Sequence, residues 1–250
     1  MLTRDGAPET WPLGGRACWA VPLGAGAGPL PLIVLFAGEP AELLPPLADF
    51  LAPALAAGRC PPFVLAGYGP VDWDADYTPW PVQDPTGRVF SGGAARQQPF
   101  LTLEFLPALA ARFPLDGRVF PVGYSLGGLA ALYHHCELGF SGCGCCSGSL
   151  WYPGWLPYLQ AHAPAGPVYL SVGGKEKNTR HPWMCRVEDA AAASRQLLAR
   201  AAPAVFVKEP GGHSHQVPQR IGHAILWLLR QQSRPFLPCG GADFTREELL

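Results

Sequence analysis

The sequence is poor in charge. Asp, Glu, Lys and Arg make up only 15% of its 250 residues, and the 18 basic residues almost cancel the 19 acidic ones. Binding to nucleic acid or to an anionic bilayer needs a basic excess, so neither partner is expected. Long hydrophobic runs are also missing, and the first 15 residues carry Arg4, Asp5 and Glu9. Neither a membrane span nor a signal peptide is expected. No internal repeat is present, which excludes a solenoid or propeller. Glycine (30) and proline (29) are abundant but follow no period, and with 48% hydrophobic residues the chain is neither collagen-like nor disordered. This composition suits a globular protein with a sizeable core.

Eight cysteines could form a disulfide set in a small secreted chain. Here Cys143, Cys145 and Cys146 crowd one segment, whereas Cys18, Cys60, Cys136, Cys185 and Cys239 stand apart. Without an export signal, reduced thiols and a cytoplasmic location are expected. The sequence His134-His135-Cys136 near Cys143, Cys145 and Cys146 suggests zinc ligands. Alternation along a strand, however, puts Cys143 and Cys145 on one face and Cys146 on the other. Small buried hydrophobes are the better account, and no metal site is assigned.

From Pro31 onward, short apolar runs alternate with helical patterns, the signature of a mostly parallel sheet covered by helices. Strands are expected at Leu32–Ala37, Phe63–Tyr68, Arg118–Gly123, Gly142–Ser147, Val168–Val172 and Val205–Glu209, with an antiparallel edge strand within Gly14–Leu23. Three sets of residues recur at helical spacing: Phe100, Leu103, Leu106, Ala110 and Phe113; Leu129, Leu132, Tyr133 and Cys136; and Ile221, Ala224, Ile225, Leu228 and Leu229. Each is read as one apolar face laid on the sheet. A single α/β domain is expected, its core at about 14–232 and a surface extension at 233–250. Gly69–Gly93 reads as a long loop, of the kind that is usually functional.

Gly123-Tyr124-Ser125-Leu126-Gly127 fits Gly-x-Ser-x-Gly, and it follows an expected strand and opens an expected helix. A sharp strand-to-helix turn lifts the serine hydroxyl above the sheet, close to backbone amides that favour a developing negative charge. Ser125 is the candidate nucleophile, and Leu126 N–H a candidate oxyanion donor. Together with the Ser147-Gly-Ser-Leu-Trp-Tyr segment and Gly211-Gly-His, this elbow resembles the α/β-hydrolase superfamily. Within it the sequence resembles in particular the esterase family that includes esterase D-like and enterochelin esterase-like enzymes, over roughly Pro31 to Arg230. The resemblance implies an α/β-hydrolase fold and a serine hydrolase acting on carboxylic esters.

Such a serine needs a histidine late in the chain to take its proton, and an acid between the two. His213, in Glu209-Pro-Gly-Gly-His-Ser-His, matches the family's Gly-Gly-His, with His215 as its rival. His134, His135 and His223 lie on helices and read as packing or solvated residues. Glu176, in the loop Gly173-Gly-Lys-Glu-Lys-Asn, is the candidate acid. The family often has Asp beside the first glycine of that loop, where this chain has Gly174, so Asp189 or a serine–histidine dyad stay as alternatives. A second oxyanion donor is expected after the strand ending near Ala37, from Glu39 or Gly38. Tyr77, Trp80, Trp151 and Tyr152 are candidate pocket residues for an uncharged small-molecule ester. Asp76-Tyr-Thr-Pro-Trp resembles a segment found near the active site of these esterases. No cofactor is needed for this chemistry. Acyl transfer on the same fold, or a non-catalytic binding protein that keeps it, are the competing functions.

Overall fold

A computed structural model describes residues 8–26, 28–37, 40–231, 235 and 236. Its main sheet contains eight strands in the order β1-β2-β4-β3-β7-β8-β9-β10. These are β1 (Glu9–Leu13), β2 (Arg16–Leu23), β3 (Leu30–Phe36), β4 (Phe63–Gly69), β7 (Leu115–Tyr124), β8 (Cys143–Cys146), β9 (Val168–Gly173) and β10 (Ala204–Glu209), while β5 (Pro81–Gln83) and β6 (Val89–Ser91) form a separate hairpin. From β4 to β10 all neighbours are parallel, and β2 is antiparallel to both β1 and β4. The expected α/β architecture is therefore present. All six strands read from apolar runs appear, but β2 is not the edge, because β1 pairs on its outer side.

The helices are α1 (Pro40–Ala56), α2 (Trp73–Asp76), α3 (Leu106–Ala110), α4 (Leu126–Leu138), α5 (Trp155–Ala161), α6 (Val187–Leu198) and α7 (Val217–Leu228). Residues of β3 alternate between two cores. Leu32, Val34 and Phe36 join a cluster with residues of α4, α5 and α6, whereas Ile33 and Leu35 join one with residues of α1 and α7. Helices cover both faces, so the central strands read as continuous apolar runs rather than alternating ones. None of the helices among the described residues is long and apolar enough to cross a membrane.

Three expectations need correction. Gly69–Gly93 is not structureless, for it holds α2 and the β5–β6 hairpin, with Tyr77, Thr78 and Phe90 buried. Leu103 is 62% exposed. The segment Phe100–Phe105 winds as a π-helix, which turns Phe100, Leu101, Phe105, Leu109 and Phe113 inward and Leu103 outward. The helix after the elbow has no single apolar face either, since every side chain from Leu126 to His135 is buried. Cys143 and Cys145 do face one core and Cys146 the other, and burial pushes their thiols up from the ordinary range. Cys239 and the tail from 237 lie outside the described residues.

His134 and His135 are completely buried on α4, and their ring nitrogens lack hydrogen-bond partners among the described residues. Burial disfavours the charged ring and brings their pKa values down to about 3 and about 4. The unfolded chain therefore binds protons that the folded chain refuses, and stability falls as the pH drops below about 6.5 toward these values. Between pH 7 and pH 5 the loss is on the order of 2 kcal/mol for each ring. Urea unfolding at the two pH values checks this, with His134→Leu expected to flatten the difference. Equal midpoints at pH 7 and pH 5 in the wild type would refute it.

Candidate active site

Parallel pairing brings the carboxyl ends of the central strands into line, with Phe36 beside Gly123, Tyr124 beside Cys146, Cys146 beside Ser171 and Gly173 beside Glu209. The chain order reverses at β3, which has β4 on one side and β7 on the other. In open α/β sheets the crevice at such a reversal is where ligands bind. Ser125, Glu176 and His213 follow β7, β9 and β10 at this edge.

Ser125 caps α4 with φ 59° and ψ −123°, a left-side conformation disfavoured for a side chain and tolerated here because its surroundings fix it. Its N–H donates to Cys146 O at 3.1 Å, and its carbonyl accepts from Ser149 N–H at 3.0 Å. The flanking glycines are required by close approach. A methyl at Gly123 would collide with the Gly127 carbonyl, and one at Gly127 with the Phe36 carbonyl. Gly-x-Ser-x-Gly is thus the condition for α4 to start directly against both β7 and β3. The Leu126 N–H has no acceptor among the described residues and lies at the first turn of α4. Gly38 and Glu39 lie outside the described residues.

The Ser125 hydroxyl is 3.0 Å from His213 Nε2, and His213 Nδ1 is 2.7 Å from Glu176 Oε2. The turn that carries His213 depends on Gly211, whose φ of +81° is in the left-handed region. His215 turns its ring onto Gly211 instead, and Asp189 lies exposed in the first turn of α6. The geometry therefore links His213 and Glu176, not His215 or Asp189, to Ser125. Burial is the largest influence on the Glu176 carboxyl and pushes its pKa up. Hydrogen bonds from His213, Gly173 and Ser147, with the charge of His213, outweigh it and hold the carboxyl below its ordinary value. The carboxylate is consequently ionised at neutral pH, with Oε2 facing His213 Nδ1 while Nε2 faces the Ser125 hydroxyl.

A sequence profile of the family described as "Putative esterase" matches residues 20–218. The chain belongs to this esterase family. Its activity is that of a carboxylic-ester hydrolase. A search of curated proteins found no match. The structure is similar to an IroE-like serine hydrolase from Shewanella oneidensis, at 18% identity and a TM-score of 0.76, covering 89% of this chain and 80% of that one. It is similar also to the siderophore hydrolase EstB from Aspergillus nidulans, at 18% identity and a TM-score of 0.65 over 90% and 95% of the two chains. For the enterobactin esterase FES from Shigella flexneri the values are 22% and 0.71, over 89% of this chain and 58% of that one. At these identities the likeness is one of fold.

The aromatic residues of this esterase divide into two groups. Tyr77 and Tyr152 are only 2% exposed and pack into the core, Tyr77 against Phe36 and Trp73, and Tyr152 with its hydroxyl on Trp80 O. Trp80, itself partly buried, donates from Nε1 to Pro153 O at 2.8 Å, so these residues brace the loop that follows Ser149. Trp151 keeps partial exposure beside Trp183 and His181, at ring separations of 6.3 and 6.1 Å. His181 in turn bonds Asp84 through Nε2 at 3.1 Å and accepts the N–H groups of Trp183 and Met184 at Nδ1, which ties the loop after Glu176 to the β5–β6 hairpin. An apolar cavity of about 800 Å³ opens at the ends of β3 and β4, with Leu35, Ala37, Leu44, Tyr68, Val71 and Trp73 in its walls. None of the four expected pocket residues, Tyr77, Trp80, Trp151 and Tyr152, lines that cavity, whose walls come mostly from β2, β3, β4 and α1.

The Asp76-Tyr-Thr-Pro-Trp segment is a clasp. Asp76 accepts from Gln97 Nε2 at 2.7 Å, and Thr78 Oγ1 accepts the Gly92 N–H at 3.1 Å. Sequence reasoning missed Ser147, which has a positive φ of 45° and donates to Glu176 at 2.8 Å. It missed Arg220 too, which is 1% exposed and bonds the same carboxylate. Ser147 opened the Ser-Gly-Ser-Leu-Trp-Tyr segment that carries part of the family resemblance, but nothing in it pointed to Glu176; for Arg220 there was no signal.

Proposed function

We propose that Ser125 is the nucleophile, His213 the general base and Glu176 the acid of a triad that hydrolyses esters through an acyl-enzyme. The observation that carries this reading is the unbroken series of contacts from Ser125 Oγ to His213 Nε2 at 3.0 Å and from His213 Nδ1 to Glu176 Oε2 at 2.7 Å. Ser125 attacks the carbonyl carbon as His213 takes its proton. The oxyanion is held by Leu126 N–H, and the second donor is assigned to Glu39 or Gly38, which follow β3 in the chain. His213, now an imidazolium balanced by Glu176, gives the proton to the leaving alcohol. Water then attacks the acyl carbon as His213 takes its proton, and the bond to Ser125 Oγ breaks as His213 returns that proton to the serine, freeing the acid.

The substrate is a small uncharged ester with an apolar or aromatic portion. This is supported by the partly exposed Trp151 and Trp183, which follow Ser149 and Glu176 in the chain, and by structural neighbours that include siderophore hydrolases and a ferulic acid esterase; the apolar cavity at the ends of β3 and β4 has none of Ser125, Glu176 and His213 in its lining. We read the chain as one catalytic domain, since a single sheet takes strands from Glu9 to Glu209. Seven free cysteines among the described residues support the cytoplasmic assignment, because thiols stay reduced there.

Turnover of p-nitrophenyl esters of graded acyl length, a feruloyl ester and a trilactone siderophore tests the reading, with a burst of alcohol release as the signature of the acyl-enzyme. Glu176→Gln is expected to lower kcat by about 10²- to 10⁴-fold, since an amide cannot balance the imidazolium, while Glu176→Asp keeps more of the rate. A Glu176→Gln enzyme with wild-type kcat would remove Glu176 from the triad.

A further inference from the structure

Arg220 on α7 is one of the largest fully buried side chains of the protein. Its Nη1 lies 2.8 Å from Glu176 Oε1, 2.7 Å from Ser147 Oγ and 2.9 Å from the Tyr124 hydroxyl, while Nη2 donates to the carbonyls of Pro210 and Gly212, each at 2.8 Å. The proton directions in this network are fixed. Ser147 donates its hydroxyl proton to Glu176 Oε1, and Tyr124 donates its own to the backbone carbonyl of His213. Both hydroxyl oxygens are therefore left as acceptors for the guanidinium.

Two consequences follow for the catalytic groups. Glu176 Oε1 is engaged by Gly173 N–H, Ser147 and Arg220, which leaves Oε2 as the oxygen turned to His213. The same guanidinium holds the carbonyls of Pro210 and Gly212, on the turn leading into His213, and Tyr124 holds the carbonyl of His213 itself. Acid and base are thus registered against one buried group. A glutamate reaching back to the strand end from three residues beyond Gly173 has one more torsion to fix than an aspartate there. It therefore depends more on such a clamp. Tyr124 also connects this clamp to the nucleophile, being the residue directly before Ser125.

We infer that Arg220 and Tyr124 are positioning residues of the ester hydrolysis, acting through Glu176 and the His213 turn without touching substrate. The inference rests on the triad reading above. Arg220→Met and Tyr124→Phe are assayed on an activated ester beside Ser125→Ala, Glu176→Gln and the double variant Glu176→Gln/Arg220→Met. Arg220→Met is expected to lose roughly 10² in kcat with KM little changed, the size of effect that a misplacement of catalytic groups by about 1 Å produces. Tyr124→Phe, which deletes one hydroxyl and leaves the guanidinium in place, loses about 10-fold in kcat on the same grounds. The double variant is expected to lose less than the product of the two single losses, because Arg220 has then lost the carboxylate, one of the two groups it acts through, and keeps only the carbonyls of the His213 turn. The two losses multiplying in the double variant would overturn the inference, as would wild-type kcat in Tyr124→Phe. If Arg220→Met fails to fold, folded Tyr124→Phe decides alone by the same criterion. Activity surviving in Ser125→Ala and Glu176→Gln would instead overturn the triad reading, whereas an inactive Ser125→Ala beside fully active Arg220→Met and Tyr124→Phe would overturn only the positioning role.

Discussion

Replacing Ser125 with alanine is expected to abolish covalent labelling by a fluorophosphonate and to lower ester turnover by about 10⁵- to 10⁶-fold, the loss that removal of a triad serine causes. The expectation comes from how the elbow is built. The backbone of Ser125, at a φ of 59°, is held by hydrogen bonds to Cys146 and Ser149, and the glycines on either side leave room for the Gly127 and Phe36 carbonyls. None of these contacts involves the hydroxyl, so alanine should occupy the same turn with the fold unchanged. The hydroxyl's recorded hydrogen bond is to His213, and its loss removes the atom that attacks and little else. Intact-mass measurement of the labelled wild type, followed by peptide mapping, should place the phosphonate on Ser125, and circular dichroism should give overlapping spectra for the two proteins. Undiminished turnover in the folded variant would sink the serine mechanism.

What was legible in the sequence depended on how local each signal was. Strands buried on both faces, such as Leu30–Phe36, announce themselves as apolar runs, whereas β1 has a single buried residue, Trp11, followed by Pro12, and leaves no such trace. The helical spacing around Leu103 failed because period-3.6 reasoning does not anticipate the wider π-turn that exposes it. Ser125 and His213 were legible because each sits in a short motif whose glycines answer a local backbone demand. Glu176 was legible only as the one carboxylate in its loop. Arg220 was not legible at all: an arginine on an amphipathic helix reads as a solvated charge, and its burial arises only when the strand ends of β7, β8, β9 and β10 converge on it. The cavity escaped for the same reason, its walls being drawn from six separate elements, β1 to β4, α1 and α2.

The choice between His213 and His215 yields the other large effect. His213→Ala is expected to lower kcat by about 10⁵- to 10⁶-fold, as loss of the histidine does in a serine triad, while His215→Ala keeps most of the activity. The difference is geometric. The ring of His213 spans from Ser125 to Glu176, whereas that of His215 rests over Gly211, two residues further along a turn whose direction is set by the positive φ of that glycine. The pH dependence gives an independent check. Hydrogen bonds hold the Glu176 carboxyl below its ordinary range, so the carboxylate stays ionised through mild acid. His215→Ala should therefore show the wild-type profile between pH 5 and pH 9. Both variants can be assayed on one activated ester with folding followed by circular dichroism, and since the His213 side chain is 48% exposed its removal should not disturb the core. Were His215→Ala inactive and His213→Ala active, the base would pass to His215, and the turn after β10 would have to rearrange when substrate binds.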